Sequence, residues 1–371
     1  FPGFLGKRIV AALLKADADL KIVCLVQNKF FSDAQEAIAR LENSRVSIAL
    51  GDITDPRLGL GDEFCPQAAQ EITEVWHLAA IYDLAAPESF ARRINVEGTK
   101  NILNFCKSCR NFDKLVYFST CYVAGKRVGL IKETELDEGQ GFKNYYESTK
   151  FLAELEVRKA MTSGLPAIIV RPAVVVGDST TGEADKFDGP YFGMELITRL
   201  KWMPLGLPKL GRSLAEVNIV PVDYLVNAAT AISRKQEAIG MTFQIADPKP
   251  LKALEIYDIF CRWITGKPAL FVCIPPKLME LTLASPIGRW LGAPKEILTY
   301  FNHGARYDSS QTTKILDGTG IRCPDVLEYL PRLYQYWLAH RKEPGRQAKA
   351  YAWARHSPCH PVFTHSLNRS P

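Results

Sequence analysis

Lys114-Leu115-Val116-Tyr117-Phe118-Ser119-Thr120 is an apolar run that ends in two hydroxyls and leads into Cys121-Tyr122-Val123-Ala124-Gly125. A short apolar run bounded by turn residues reads as a buried strand. In an open parallel sheet the C-terminal edge of a strand lines the ligand crevice, so the two hydroxyls fall where chemistry is done. Side chains alternate along a strand, and one of the two points the wrong way. Thr120 is the candidate for polarising a substrate carbonyl, with Ser119 as the fallback. Downstream, Tyr146-Glu147-Ser148-Thr149-Lys150 opens a helical pattern running to about Met161. Tyr146 and Lys150 are four positions apart and share one helix face. A free tyrosine titrates near pH ~10, and a neighbouring ammonium is expected to lower that value. The pair reads as a proton relay. Alone, it would read better as two surface side chains of an amphipathic helix; the surrounding chain decides otherwise.

Working outward, further strands are predicted at Lys21–Gln27, Val46–Leu50, Val75–Ala80, Ala167–Val170 and Phe243–Ala246, with helical patterns between them. That alternation predicts an α/β fold, a Rossmann-like doubly wound parallel sheet. Residues 1–176 and 217–247 are assigned to this dinucleotide-binding domain. Residues 177–216 and 248–341 are assigned to a smaller, mostly helical substrate-binding region, and 342–371 to an irregular tail. Helices are predicted over Pro87–Cys109, Leu254–Ile264, Lys277–Leu291 and Val326–His340. The apolar stretches Tyr191–Leu210 and Pro275–Leu291 read equally well as lining for a substrate channel or as ordinary core.

Several positions point to a dinucleotide. Gly3-Phe4-Leu5-Gly6 runs into an amphipathic helix start and matches the last two glycines of a pyrophosphate-binding turn. The first glycine and its strand would precede residue 1, which is Phe rather than Met, so the chain is expected to be incomplete at its start. Where the second strand ends, an acidic residue would bind a ribose 2′-hydroxyl. Here the sequence is Gln27-Asn28-Lys29, with no carboxylate to repel a 2′-phosphate and a lysine able to pair with one. NADP(H) is therefore the preferred cofactor, with NAD(H) as the other option. Asp52 is a candidate acceptor for the adenine amino group and Ile53 a candidate packing surface for its ring; a plain turn cap is the simpler reading of Asp52. Leu78-Ala79-Ala80 would let a cofactor lie close over the sheet, and Pro172 and Val174 are further candidate contacts. His77 reads as a hydrogen-bonded packing residue. Asn95 and Gly98, costly inside a helix, need a packing reason, Asn95 as a bridge to a neighbouring strand.

Composition narrows the function classes. The 371 residues carry a net charge of +6 with no basic stripe, which argues against nucleic acid. The nine cysteines show no disulfide spacing, and Cys106-Lys107-Ser108-Cys109 lacks the second ligand pair a metal or redox role needs. No metal site is expected; His356, Cys359, His360 and His365 in the tail resemble ligands only loosely. No run has transmembrane length and no signal peptide is visible, so a cytoplasmic protein is expected, monomeric or homodimeric. A peripheral membrane contact through Lys277–Leu291 is left open.

Taken together, Gly3–Gly6, Gly51-Asp52-Ile53, His77–Ala80, Asn95–Thr99, Phe118–Gly125, Tyr146–Lys150 and Arg171-Pro172 to Gly177 resemble the extended short-chain dehydrogenase/reductase family over residues 1 to about 250. Within it, Gly51–Leu60 and Lys186-Phe187-Asp188-Gly189-Pro190-Tyr191-Phe192 look most like the fatty acyl-CoA reductase and thioester reductase branch, the male-sterility type. The resemblance implies that Tyr146 is the general acid, and that Lys150 lowers its pKa and binds the nicotinamide ribose. It implies that Thr120 holds the substrate oxygen, Gly3 and Gly6 approach the pyrophosphate, and Asp52 and Ile53 meet the adenine. It implies a lipid-like substrate, a CoA or carrier-protein thioester among the options, reduced to aldehyde or alcohol. An NAD-dependent nucleotide-sugar epimerase or dehydratase, or a hydroxysteroid-type dehydrogenase, shares fold and motif; a non-catalytic NAD(P)-binding sensor is the alternative of another class. Gln27-Asn28-Lys29 speaks against the epimerase, and retention of Thr120, Tyr146 and Lys150 against the sensor.

Overall fold

The computed structural model describes residues 1–61, 64–82, 86–203, 206–210, 215–274, 281, 285, 300, 303–343 and 345–346. Helix α1 (Phe4–Ala16) starts from an extended Gly3 and buries Ile9, Val10, Leu13 and Leu14. Those positions repeat at one-turn spacing, which makes one helix face apolar. Strand β1 (Ile22–Val26) follows, then α2 (Phe31–Ala39) and β2 (Val46–Leu50). Next come α3 (Phe64–Glu71), β3 (Glu74–His77), α4 (Glu88–Arg92), α5 (Gly98–Ser108) and β4 (Lys114–Phe118). Then β5 (Gly129–Ile131) precedes α6 (Tyr145–Thr162), β6 (Ala167–Pro172) and β7 (Val174–Val176). The rest comprises α7 (Tyr191–Leu200), β8 (Pro208–Leu210), β9 (Ile219–Pro221), α8 (Val222–Ser233), β10 (Thr242–Ile245), α9 (Ala253–Thr265), β11 (Leu270–Ile274), β12 (Ala305–Tyr307), α10 (Ser310–Ile315) and α11 (Val326–His340).

The central sheet has four parallel strands in the order β10-β6-β4-β3, and β1 pairs with β2 in a separate parallel ladder. Val116 lies beside Ile168, and Ile169 beside Thr242. Strand β6 is buried at every position, and β4 at every position after Lys114. Strands covered on both faces read as continuous apolar runs, which is why these two were legible. On one face, α6 packs Ala153, Val157 and Ala160 against Leu115, Tyr117, Ala167 and Ile169. On the other, Ile9 and Leu13 of α1 and Leu225, Ala228, Ala229 and Ile232 of α8 cover Val116, Ile168 and Phe243. Helices on both faces of a parallel sheet make this a doubly wound Rossmann-like α/β fold.

A second core joins α7, α9 and α11: Tyr191, Met194 and Ile197 pack with Tyr257, Phe260, Tyr329, Leu333 and Trp337. For those three residues of the Tyr191–Leu210 stretch, core packing accounts for their burial; Trp202 is exposed. The predicted helix over Lys277–Leu291, like most of Pro275–Leu291 and the tail ligands His356, Cys359, His360 and His365, lies outside the described residues. The chain from 303 onward returns to the main sheet: β12 pairs with β5, and Leu316 joins the sheet core. Buried Glu133 fixes this return. Its carboxylate accepts hydrogen bonds from the backbone N–H of Gln244 (2.8 Å), Gln311 (2.6 Å) and Thr312 (3.1 Å).

One predicted element differs. The helix over Pro87–Cys109 is interrupted by a π-helical turn at Arg93–Glu97, between α4 and α5. Asn95 sits in that turn. Its Oδ1 accepts from Ile81 N (2.9 Å) and its Nδ2 donates to Thr149 Oγ1 (2.9 Å). The asparagine thus bridges the chain leaving β3 to α6, rather than a strand. Gly98 follows because a Cβ there would lie 2.7 Å from Ile53 Cδ1. Among the described residues no helix is long and apolar enough to cross a membrane, and no cluster of His, Cys, Asp or Glu could hold a metal.

Candidate active site

The site forms where β3 and β4 end and α6 begins. Asn144 caps α6, its Oδ1 accepting from Glu147 N (3.0 Å). That cap fixes the first turn and with it Tyr146. The Thr120 hydroxyl lies beside the Tyr146 phenol, where it pulls the phenol's pKa down, and accepts from Tyr122 N (3.2 Å). Ser119 faces the opposite way and donates to Glu154 Oε2 (2.6 Å) inside the protein. Of the two hydroxyls, Thr120 is therefore the one at the phenol. Tyr82 sets its ring edge-on to Tyr146, with centroids 5.0 Å apart.

The electrostatics depart from the sequence expectation. Lys150 is buried, and its ammonium donates to Phe118 O (2.7 Å) and Tyr117 Oη (3.0 Å). Burial pushes it down to about 7, against a smaller upward pull from Glu154. The Tyr146 phenol is not lowered. Burial pushes it up to about 12, and the Thr120 hydrogen bond offsets only part of that. The helical spacing put both side chains on one face, but the ammonium is held by the β4 carbonyl instead. Desolvation then outweighs the expected stabilisation of a phenolate.

Beneath the site lies a network that the sequence did not reveal. Glu154 is 0% exposed and Arg171 1%. Arg171 Nη2 and Nε reach Glu154 Oε1 and Oε2 at 2.6 and 3.0 Å, and Arg158 Nε adds a bond at 3.0 Å. Burial opposes the Glu154 charge, yet Arg171 and its neighbours hold the carboxyl below the usual range. The available signal was the i,i+4 repeat Lys150, Glu154, Arg158, which places all three on one face of α6. His77 bonds Thr99 Oγ1 (3.0 Å), and burial, then the Lys150 charge, pushes its imidazole down to about 3. It is a neutral packing residue, as expected.

The candidate cofactor residues lie at the start of α1, just past β1, β2 and β3, and in β6 and β7. Gly3 has open space where a Cβ would stand, and α1 begins with no side-chain cap. The N–H groups of its first turn are therefore available to an anion, which fits a pyrophosphate. Phe4 stacks under the Arg8 guanidinium (4.3 Å), Leu5 packs on the sheet core, and Gly6 lies against Phe1. Gln27 Nε2 donates to Asp52 Oδ2 (2.8 Å), while Asp52 Oδ1 accepts from Thr54 N (2.8 Å). The turn-cap reading of Asp52 is thus realised, with one oxygen tied to Gln27. Ile53 leans on Gly98. Lys29 is exposed on a 3₁₀ turn, its ammonium 4.9 Å above the Phe30 ring. Leu78 is half-buried, and Ala79 and Ala80 are exposed at the end of β3. Pro172 is buried in β6 beside Ile245, and Val174 is half-buried in β7.

Residues 1–229 match the family model described as male sterility protein, an NAD-binding type. The chain belongs to this family. It is an NAD(P)-binding oxidoreductase domain of the extended short-chain type. The terminal R domain from the myxalamid PKS-NRPS biosynthetic pathway superposes with a TM-score of 0.78 at 29% identity, over 91% of this chain and 88% of that one. A non-canonical nonribosomal peptide synthetase of Aspergillus campestris is 29% identical over 264 residues, 66% of this chain and 24% of that protein. A putative fatty acyl-CoA reductase of Drosophila melanogaster is 26% identical over 61% of this chain and 49% of that protein. The chain thus spans about a quarter to a half of the curated relatives named here.

Proposed function

We propose that this chain is an NADPH-dependent reductase of acyl thioesters with lipid-like acyl groups, the thiol being CoA or a carrier protein. The observation that carries the reading is the Tyr146 phenol beside the Thr120 hydroxyl where β4 ends, with the Lys150 ammonium buried on Phe118 O of the same strand. A fatty acyl-CoA reductase and a terminal reductase-type domain among its relatives support the choice of substrate class.

The bound dinucleotide supplies a hydride to the carbonyl carbon. Thr120 orients and polarises the carbonyl oxygen. As that oxygen gains charge it becomes far more basic than a phenolate, so Tyr146 gives up its proton despite a pKa of about 12. A phenol held that high stays protonated at neutral pH, which suits an acid in the reductive direction. The resulting hemithioacetal loses its thiol to leave an aldehyde. A second hydride and a second proton would give the alcohol. Lys150, held on Phe118 O, supplies in this reading positive charge to the site and a contact to the ribose hydroxyls. In this reading Lys29, exposed just past β1, pairs with a 2′-phosphate, and the Asp52 carboxylate is engaged by Gln27.

The test follows absorbance at 340 nm with NADPH or NADH against a long-chain acyl-CoA, the matching aldehyde and a UDP-sugar. NADPH oxidation with acyl-CoA or aldehyde is expected, lowered at least 100-fold in Tyr146→Phe, the scale lost when a positioned proton donor is removed. Conversion of the UDP-sugar alone, read by product analysis because epimerisation consumes no net NAD(P)H, would favour the epimerase reading instead. Cofactor binding with no turnover of any substrate would establish the sensor.

A further inference from the structure

Thr120 and Tyr146 sit on different segments, and something must hold one against the other. Tyr300 does so from more than 150 positions away in sequence. Its hydroxyl accepts from Asn144 Nδ2 (2.7 Å) and donates to Glu147 Oε1 (2.8 Å), the two residues that cap α6 on either side of Tyr146. Its ring lies edge-on to Tyr122, centroids 4.8 Å apart, in the turn that starts at Thr120. Lys143 completes the cluster. Its ammonium stands 5.2 Å above the Tyr300 ring, pairs with Glu147 (3.3 Å) and donates to Gly125 O at the end of the Thr120 turn.

The charges make the tyrosine proton matter. Glu147 is fully buried and accepts from Lys143 N (2.9 Å) as well as from the Lys143 ammonium. A buried carboxylate needs every donor it can reach. Removing the Tyr300 hydroxyl takes one donor from Glu147 and leaves the Asn144 amide without its acceptor. Both losses fall on the turn that carries Tyr146.

We propose that Tyr300 is a positioning residue for the reaction: it sets the Tyr146 phenol against the Thr120 hydroxyl by tying the first turn of α6 to the turn after β4. This rests on the reductase reading above. Misplacing a reacting group by about an ångström costs on the order of 10²-fold in rate. A partial loosening should therefore cost about 10-fold.

The experiment compares wild type, Tyr300→Phe, Glu147→Gln and the double variant for NADPH oxidation with acyl-CoA, in H₂O and D₂O. Tyr300→Phe should lower kcat about 10-fold, leave KM for NADPH within about twofold, and raise the solvent deuterium effect on kcat as proton transfer becomes slower. Because Tyr300 acts through Glu147, the double variant should lose less than the product of the two single losses. Asn144→Ser, which keeps a capping oxygen but falls short of Tyr300, should show the same kinetic signature and serves if Tyr300→Phe does not fold. Unchanged kcat and isotope effect in folded variants, or a loss confined to KM or thermal stability, would overturn the proposal. A wild-type protein with no turnover while Tyr146 and NADPH binding are intact would remove the reductase reading, and this role with it.

Discussion

Lys150 and Tyr146 lie one helical turn apart, yet the ammonium is hydrogen-bonded to Phe118 O and Tyr117 Oη. The free protein should show this in its pH profile. Lys150 loses its proton near pH 7, whereas Tyr146 keeps its own to about 12. If the cation is needed, kcat/KM is level below about 7 and falls as pH rises through it, with no second break below pH 10. A single break near 10 in its place would mean that Lys150 stays charged. Ser119 and Thr120 separate in the same way. Thr120→Val should lower kcat by roughly 10²-fold, the scale of one lost oxyanion contact. Ser119→Ala should leave kcat near wild type and lower stability by about 1–3 kcal/mol, because it strips a hydrogen bond from buried Glu154. Kinetics and denaturant midpoints on the two variants decide the assignment.

Helix α6 carries Tyr146 on its first turn and, two turns on, Glu154, which pairs with Arg171 of β6. Replacing Glu154 by Ala leaves the Arg171 guanidinium buried without its carboxylate, and should cost about 3–5 kcal/mol, read as a shifted unfolding midpoint. Removing both partners with apolar residues of similar volume should cost much less, since the unpaired charge is gone. The turn between β4 and β5 depends on Gly125. Its φ is +60°, and a Cβ there would overlap the Gly141 carbonyl. Gly125→Ala should lower both stability and kcat, because the same residue accepts from Lys143. The helices and strands themselves were readable, since their apolar periods are local. The π turn was not, because Asn95 departs from regular helix to meet Ile81 and Thr149. The β5–β12 pair was equally hidden, since its strands are three residues long and pair residues far apart in the chain, Gly129 with Ala305.

At the scale of the molecule, the proposed cofactor choice is tested at the end of β1. Lys29 is exposed there, and Gln27 holds the nearby Asp52 carboxylate. Lys29→Glu should raise KM for NADPH about 10-fold or more and leave KM for NADH nearly unchanged, measured at low salt where a surface charge acts most strongly. An equal rise for both cofactors would place Lys29 outside 2′-phosphate recognition. The second core of α7, α9 and α11 is tied to the cofactor helix by ion pairs. Lys7 meets Asp185 at 2.8 Å, and Arg8 meets Glu183 at 3.4 Å. The chain carrying those acids leads directly to α7, so this second core is anchored at the first turns of α1.

The sequence by itself determined the alternation of strands and helices, the glycine spacing at Gly3–Gly6, and the placing of Tyr146 and Lys150 on one helix face. Each rests on spacing within one or two elements, and spacing is fixed by helix and strand geometry whatever surrounds it. It also placed His77 correctly, because a buried imidazole between apolar residues has few other roles. Only the tertiary structure decided between Ser119 and Thr120, turned Lys150 toward the β4 carbonyl, and raised the phenol instead of lowering it. Those outcomes follow from burial and from partners such as Glu154, Arg171 and Tyr300 that are distant in sequence. A pKa is a comparison between water and a particular interior, and that interior exists only once the chain has folded.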